Sequence, residues 1–177
     1  SVVAIVGGRS QKFSSYTLNR AYQSHRQPGS AIKPLIVYTP AFERGYTPES
    51  VVMDQAIEDG PRNSNGKYAG SVTVRTAIAK SLNTVAWQLY DEITPNTGLR
   101  YLKEMNFTAI VPEDYVLPTS LGGFTNGVSA VEMAAGFATL ENNGVYRVPG
   151  CITRIVDSYD NVVYQAEPLN YVVYQNR

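Results

Sequence analysis

The alternation of apolar and polar positions divides the chain into stretches of different period. Ser1 to Val6 is a short apolar run closed by Gly7-Gly8, which predicts a buried strand followed by a turn. Ser10 to Ser24 is polar with interspersed aromatics and reads as irregular chain. Pro28-Gly29 then breaks the chain, and the apolar run Leu35-Ile36-Val37-Tyr38 follows. A helix opening at Ser30 is expected to run toward Arg44, with Pro40 kinking or ending it early. Pro34 falls in its first turn, where a missing donor costs little, but it biases Lys33 away from helical geometry. Gly45-Tyr46-Thr47-Pro48 stops the helix.

Residues 54–70 form a polar connection with Asp54, Asp59, Gly60, Pro61, Asn63, Ser64, Asn65 and Gly66. A solvated loop is the expectation for every charge in it. Helical spacing returns from Ser71 to Ile93, with Val74, Ala77 and Ile78 on one stripe and Val85, Leu89 and Ile93 on another. Ser81-Leu82-Asn83 lies between the stripes and reads as a break between two short helices, because Ser and Asn compete with helical backbone bonding. Leu99, Leu102 and Met105 predict a further helix from Leu99 to Met105, and Val111 to Gly123 reads as loop. Ser129-Ala130-Val131-Glu132 is a capping box that opens a helix ending at Asn142-Asn143-Gly144. Ile152–Val156 and Val162–Tyr164 predict a hairpin turning around residues 158–161, and Leu169 to Tyr174 reads as a strand.

Composition narrows the class. The chain has 177 residues, enough for one domain with a sizeable core. Lys+Arg and Asp+Glu are 15 each, so no basic surface points to nucleic acid or to a polybasic membrane contact. Cys151 is the single cysteine, which excludes an intrachain disulfide and Cys-type metal clusters. No apolar run approaches the length of a membrane span. The chain starts at Ser1 without a signal peptide, and is expected to be a piece of something larger.

The candidate chemistry lies in Arg26-Gln27-Pro28-Gly29-Ser30-Ala31-Ile32-Lys33-Pro34. In a helix that starts at Ser30, the i,i+3 spacing puts Ser30 and Lys33 on one face. The serine then sits where free backbone N–H groups and the helix dipole favour negative charge, as an attacking alkoxide requires. A neighbouring amine can take the hydroxyl proton if burial lowers its pKa. His25, the one histidine, has no Asp or Glu near it in sequence to orient it, and the lysine already fills the base role. A surface or packed histidine is the expectation there.

Arg-Gln-Pro-Gly-Ser-x-x-Lys-Pro resembles the active-site segment of class A penicillin-binding proteins, whose superfamily signature includes S-x-x-K. The resemblance continues at Ala4-Ile5-Val6-Gly7-Gly8-Arg9, Gly45-Tyr46-Thr47-Pro48, Asp54, Val74-Arg75-Thr76-Ala77, Ser81-Leu82-Asn83-Thr84, Leu121-Gly122-Gly123 and Asn143-Gly144-Val145-Tyr146. It implies a D,D-transpeptidase of α/β (α+β) fold, with a helical subregion around an antiparallel sheet and Ser30 at their interface. Such an enzyme acylates its serine with a D-Ala–D-Ala stem peptide of peptidoglycan and passes the acyl group to a neighbouring strand's amine. β-Lactams trap the same serine. On the matching positions Ser30 is the nucleophile and Lys33 the base. Ser81 relays a proton to the leaving amine, and Asn83 holds both Lys33 and a substrate carbonyl. The backbone N–H of Ser30 supplies part of the oxyanion hole. No metal or cofactor is implied. Leu82 stands where the superfamily's second motif can carry Asp, a mild departure.

The family's third motif, Lys-(Ser/Thr)-Gly, is not found after any of the five lysines, Lys12, Lys33, Lys67, Lys80 and Lys103. Residues 1–177 are therefore expected to be one domain that is the N-terminal part of a transpeptidase, with the C-terminal remainder as its partner. The parent is expected at the extracytoplasmic face of the bacterial membrane, held by an N-terminal anchor outside these residues. Two alternatives stand beside this reading. One is a catalytically incomplete binding or structural module. The other is a β-lactam-hydrolysing or β-lactam-sensing relative.

Overall fold

The computed structural model describes residues 2–9, 11 and 14–175. Its centre is the segment from Gly29 to Glu43, which is apolar nearly all round and therefore has to be enclosed. Ile32, Leu35, Ile36, Val37, Tyr38 and Ala41 are all buried. The segment changes hydrogen-bond pattern twice. It starts as a 3₁₀ turn (Gly29–Ile32), widens into a π-helix (Pro34–Tyr38) and ends as α1 (Thr39–Glu43). Lys33 joins the first two pieces with φ −51° and ψ −44°, so the bias from Pro34 against helical geometry is overridden.

Pro40 was expected to kink or end this helix, yet the helix runs through it to Glu43. The π-helical stretch is the reason. The Thr39 N–H bonds back to the Pro34 carbonyl, an i→i−5 step. The Leu35 carbonyl is then left without an amide, because its next i+5 partner would be Pro40, which has no N–H. A buried carbonyl in that position needs a donor. Tyr174 supplies it, donating its hydroxyl to the Leu35 carbonyl at 2.7 Å. The ring of Tyr174 stacks on Tyr101 at 4.8 Å.

Three helices wrap this centre. α2 (Val74–Ala79) and α3 (Asn83–Ile93) are separated at residues 80–82, as the Ser-Leu-Asn break predicts, with Ser81 in the left-handed region at φ 50°. α4 (Pro95–Glu104) starts earlier than the expected Leu99, because Pro95 is well suited to a first helical turn. Val74, Ala77, Val85, Leu89, Ile93, Leu99, Leu102 and Met105 are buried on the central segment's side, whereas Ile78 is partly exposed. The stretch 111–123, expected as loop, contains two short 3₁₀ turns, Pro112–Asp114 and Leu117–Leu121. α5 (Ala130–Glu141) opens on the expected capping box. Ser129 Oγ accepts from the Glu132 N–H, and Glu132 accepts from the Ser129 N–H at 2.7 Å.

Among the described residues the strands form three antiparallel ribbons, giving a mixed α/β architecture. β1 (Val51–Asp54) pairs with β2 (Gly70–Thr73), β3 (Val145–Arg147) with β6 (Asn170–Val172), and β4 (Arg154–Val156) with β5 (Val162–Gln165). The β4–β5 hairpin is the one expected from its sequence. The β1–β2 ribbon was missed because residues 54–70 are so polar that they mask the two short strands flanking them. The apolar run at the N-terminus is not a strand over its described residues 2–6. Val2 makes one backbone bond to Gly150 at 3.0 Å, and Val3 and Val6 are exposed. Ser1 itself lies outside the described residues.

The turn before the central helix is clamped from the other side of the chain. Arg26 and Val128 exchange both backbone hydrogen bonds at 2.9 Å. The Gln27 side-chain amide pairs with the Phe124 backbone, accepting from its N–H at 2.7 Å and donating to its carbonyl. Gly122 closes the 117–121 turn at φ 90°, and a Cβ there would lie 2.3 to 2.4 Å from the Gly29 backbone. Gly122→Ala is therefore expected to combine left-handed strain with a backbone collision and to cost about 2–4 kcal/mol. Urea unfolding measures it; an unchanged midpoint would mean that Gly122 and Gly29 do not meet in solution.

Candidate active site

Lys33 decides the geometry. It lies on the first turn of the central helix and is 2% exposed, so its amine cannot reach bulk water. A buried ammonium needs acceptors for its donors. They come from the break between α2 and α3. Lys33 Nζ donates to the Ser81 carbonyl at 2.9 Å, to Ser81 Oγ at 3.1 Å and to Asn83 Oδ1 at 2.8 Å. The left-handed backbone of Ser81 turns both its carbonyl and its hydroxyl toward one point. Burial lowers the pKa of Lys33 from 10.5 to about 8. At pH 7 about one amine in ten is then neutral. The same shift makes the fold bind fewer protons than the unfolded chain between pH 8 and 10.5, so it gains stability as pH rises through that window.

Ser30 is exposed at the start of the 3₁₀ turn, one turn before Lys33. Its hydroxyl makes no hydrogen bond to any described residue, and Lys33 Nζ is directed at Ser81 and Asn83 instead. The Ser30 N–H is in the first turn, where it has no partner within the turn. The structure thus gathers Lys33, Ser81 and Asn83 by direct contact, with Ser30 one turn before Lys33 in the helix register.

Asn83 is held as tightly as it holds. Its Nδ2 donates to the Arg62 carbonyl at 2.9 Å, and its backbone N–H donates to Asn63 Oδ1 at 2.8 Å. Asp54 stands behind this pair and corrects the expectation of a solvated loop. It is 1% exposed and accepts from Asn63 Nδ2 at 2.7 Å, from the Ala69 N–H at 2.8 Å and from the Thr84 hydroxyl. Burial alone would raise its pKa, but these donors outweigh it and hold the carboxyl below its usual range. Sequence reasoning placed Asp54 and Asn63 with the loop charges. The apolar run Val51-Val52-Met53 leading into Asp54 was the signal that could have drawn it inward.

His25 is half-buried, and its Nε2 is 3.8 Å from Glu132 Oε2 at the start of α5, in keeping with a packed histidine. Among the described residues no group of His, Cys, Asp and Glu could hold a metal ion, and no helix is long and apolar enough to cross a membrane. A cavity of about 550 Å³ lies between residues 2–6 and α5, lined mainly by Ala and Val with Glu141 and Arg147 also on its wall, and Ser30 is not among its lining residues.

A family model described as the penicillin-binding protein transpeptidase domain matches residues 1–176. Penicillin-binding protein 4 of Bacillus subtilis is 36% identical over 168 residues, which are 93% of this chain and 27% of that protein. Penicillin-binding protein 1F of the same organism is 38% identical over 160 residues, 88% of this chain and 22% of that protein. The chain thus spans about a quarter of the length of these relatives. Among solved structures, penicillin-binding protein 1A from Haemophilus influenzae aligns at TM-score 0.74 with 28% identity, covering 88% of this chain and 24% of that one. PonA1 from Mycobacterium tuberculosis aligns at TM-score 0.79 with 20% identity, covering 96% and 48%, a likeness of fold. The chain belongs to the penicillin-binding protein transpeptidase domain family, enzymes of the acyltransferase type.

Proposed function

We propose that these residues form the acylating part of a serine D,D-transpeptidase, with Ser30 as nucleophile. The observation that carries the reading is a lysine three residues after Ser30, buried and held between Ser81 and Asn83 with its pKa lowered to about 8. Family membership supports the reaction class. The Ser30 hydroxyl attacks the carbonyl of the terminal D-Ala–D-Ala bond while its proton passes to neutral Lys33. The Ser30 N–H supports the oxyanion. The C–N bond breaks as the leaving D-Ala nitrogen takes the proton through Ser81, leaving an ester on Ser30. An amine of a neighbouring peptidoglycan strand then attacks that ester and returns Ser30 as the hydroxyl. Asn83 positions Lys33 through Oδ1. A β-lactam ring amide enters the same first step, and its nitrogen remains tethered to the acyl group.

Residues 1–177 act in this reading as part of one transpeptidase domain on the extracytoplasmic face of the membrane. Their partners are stem peptides, β-lactams and the remainder of the domain, and no cofactor takes part. The second oxyanion donor comes from a Lys-(Ser/Thr)-Gly segment, a motif that these 177 residues do not contain.

Treatment of the domain assembled with that segment should add one penicillin mass to the protein. The Ser30→Ala form should add none; label that survives the substitution would remove Ser30 from this role.

The acylation rate should climb about tenfold per pH unit below pH 8 and level off above it, since only neutral Lys33 accepts the proton. Lys33→Arg, which stays charged, should abolish acylation at every pH. A pH-independent rate, or a reactive Arg form, would leave Lys33 as a positioning residue only.

The 177-residue chain by itself should take up no penicillin label, and co-expression with the segment carrying the third motif should restore it. Rapid labelling of the chain alone at Ser30 would show that one oxyanion donor suffices.

A further inference from the structure

A buried polar chain lies behind Asn83 and takes no part in the reaction as proposed. It begins at Asp54, the last residue of β1, and runs through Asn63, which is 5% exposed. Its bonds have one direction throughout. Asp54 Oδ1 accepts from Asn63 Nδ2 at 2.7 Å, and the same Nδ2 donates to the Lys67 carbonyl at 2.9 Å. Both of these contacts require a donor on Asn63. Its Oδ1 therefore faces the other way, toward the start of α3, where it accepts from the Asn83 N–H at 2.8 Å and lies 3.4 Å from the Thr84 N–H. The residue preceding α3 is Leu82, which has no side chain able to cap it. Asn63 thus caps α3 from twenty residues upstream. The α3 start so fixed carries Asn83, whose Nδ2 is held by the Arg62 carbonyl and whose Oδ1 is consequently left for Lys33.

We infer that Asp54 and Asn63 are positioning residues of the active site, setting the direction of the Asn83 side chain and through it the place of the Lys33 amine. This rests on the transpeptidase reading above. The carboxylate of Asp54 can only accept, so it admits one orientation of the Asn63 amide. An amide at position 54 would lose that power. It could place its NH₂ against Asn63 and force that amide to flip, which would present NH₂ to the Asn83 N–H. A simple cap would not need the carboxylate at all.

The test uses Asp54→Asn, Asn63→Asp and the two together. Asp54→Asn sets donor against donor, and Asn63→Asp sets carboxylate against carboxylate. The double variant restores one donor and one acceptor between positions 54 and 63, with the amide now at 54 and an acceptor still facing α3, but it leaves the Lys67 carbonyl without its donor, so the recovery it brings is partial. Hydrogen exchange of the Asn83 amide, measured on the 177-residue chain, should quicken roughly 10-fold or more in Asp54→Asn and return toward the parent value in the double variant. In the domain assembled with the third-motif segment, each single variant should slow the penicillin acylation step roughly 10- to 100-fold with little change in the preceding binding constant. The double variant should regain part of that rate and acylate faster than either single variant. Folded single variants that acylate at the parent rate, with only a lower melting temperature, would overturn the inference, as would a double variant that recovers neither exchange nor rate. If a single variant does not fold, the double variant decides alone in the same two measurements. Ser30→Ala runs alongside: label that persists in it defeats the transpeptidase reading, whereas Ser30-dependent label indifferent to positions 54 and 63 defeats this inference only.

Discussion

Putting an amine in the core is the constraint on which the rest of the structure depends. Lowering the pKa of Lys33 from 10.5 to about 8 corresponds to roughly 3 kcal/mol against its charged form. That cost is tolerable because every acceptor around the nitrogen is supplied by one short break, residues 81–83. The break must therefore be rigid. The helix that carries Lys33 is enclosed by α2, α3 and α4, and the start of α3 is fixed from behind by the β1–β2 ribbon and the loop between its strands. The apolar packing and the polar chain thus serve the same end. The packing keeps the amine dry, and the polar chain gives it a single place to sit.

The central helix shows how a sequence can contain two prolines and remain helical. Pro34 and Pro40 each remove a donor; in the first turn that costs little, but a regular α-helix through Pro40 would orphan the carbonyl of the buried Ile36. The π-helical widening accommodates them but moves the deficit to Leu35. Tyr174, 139 residues downstream, resolves it with one hydroxyl. Local pattern and a distant side chain are therefore parts of one solution, and neither is complete alone.

That division also explains what the sequence made legible. Motifs local in the chain read well: the α2–α3 break, the Ser129–Glu132 capping box, the β4–β5 hairpin, and the S-x-x-K turn with its Ser81-Leu82-Asn83 companion. Features that depend on a remote partner did not. Pro40 reads as a helix end unless Tyr174 is known to stand over Leu35. Asp54 reads as a loop charge unless Asn63, Ala69 and Thr84 are known to surround it. The N-terminal apolar run reads as a strand, yet pairing needs a neighbouring edge, and over residues 2–6 none of the described strands provides one. The contact between Gly122 and Gly29 leaves no hydrophobic pattern at all, since it is made by backbone.

Ser81 carries a consequence for how this position can vary over time. Its left-handed backbone is a conformation in which glycine is free of strain and asparagine is tolerated, so backbone strain alone would favour replacing it. Glycine keeps the carbonyl that Lys33 uses but has no hydroxyl. Asparagine is bulkier and presents an amide in its place. Backbone strain and the hydroxyl's contact with Lys33 thus pull on residue 81 in opposite directions. On the mechanism proposed above, random drift would empty it of serine wherever that reaction ceased to matter, which would make residue 81 a gauge of whether a descendant domain keeps the proposed proton relay.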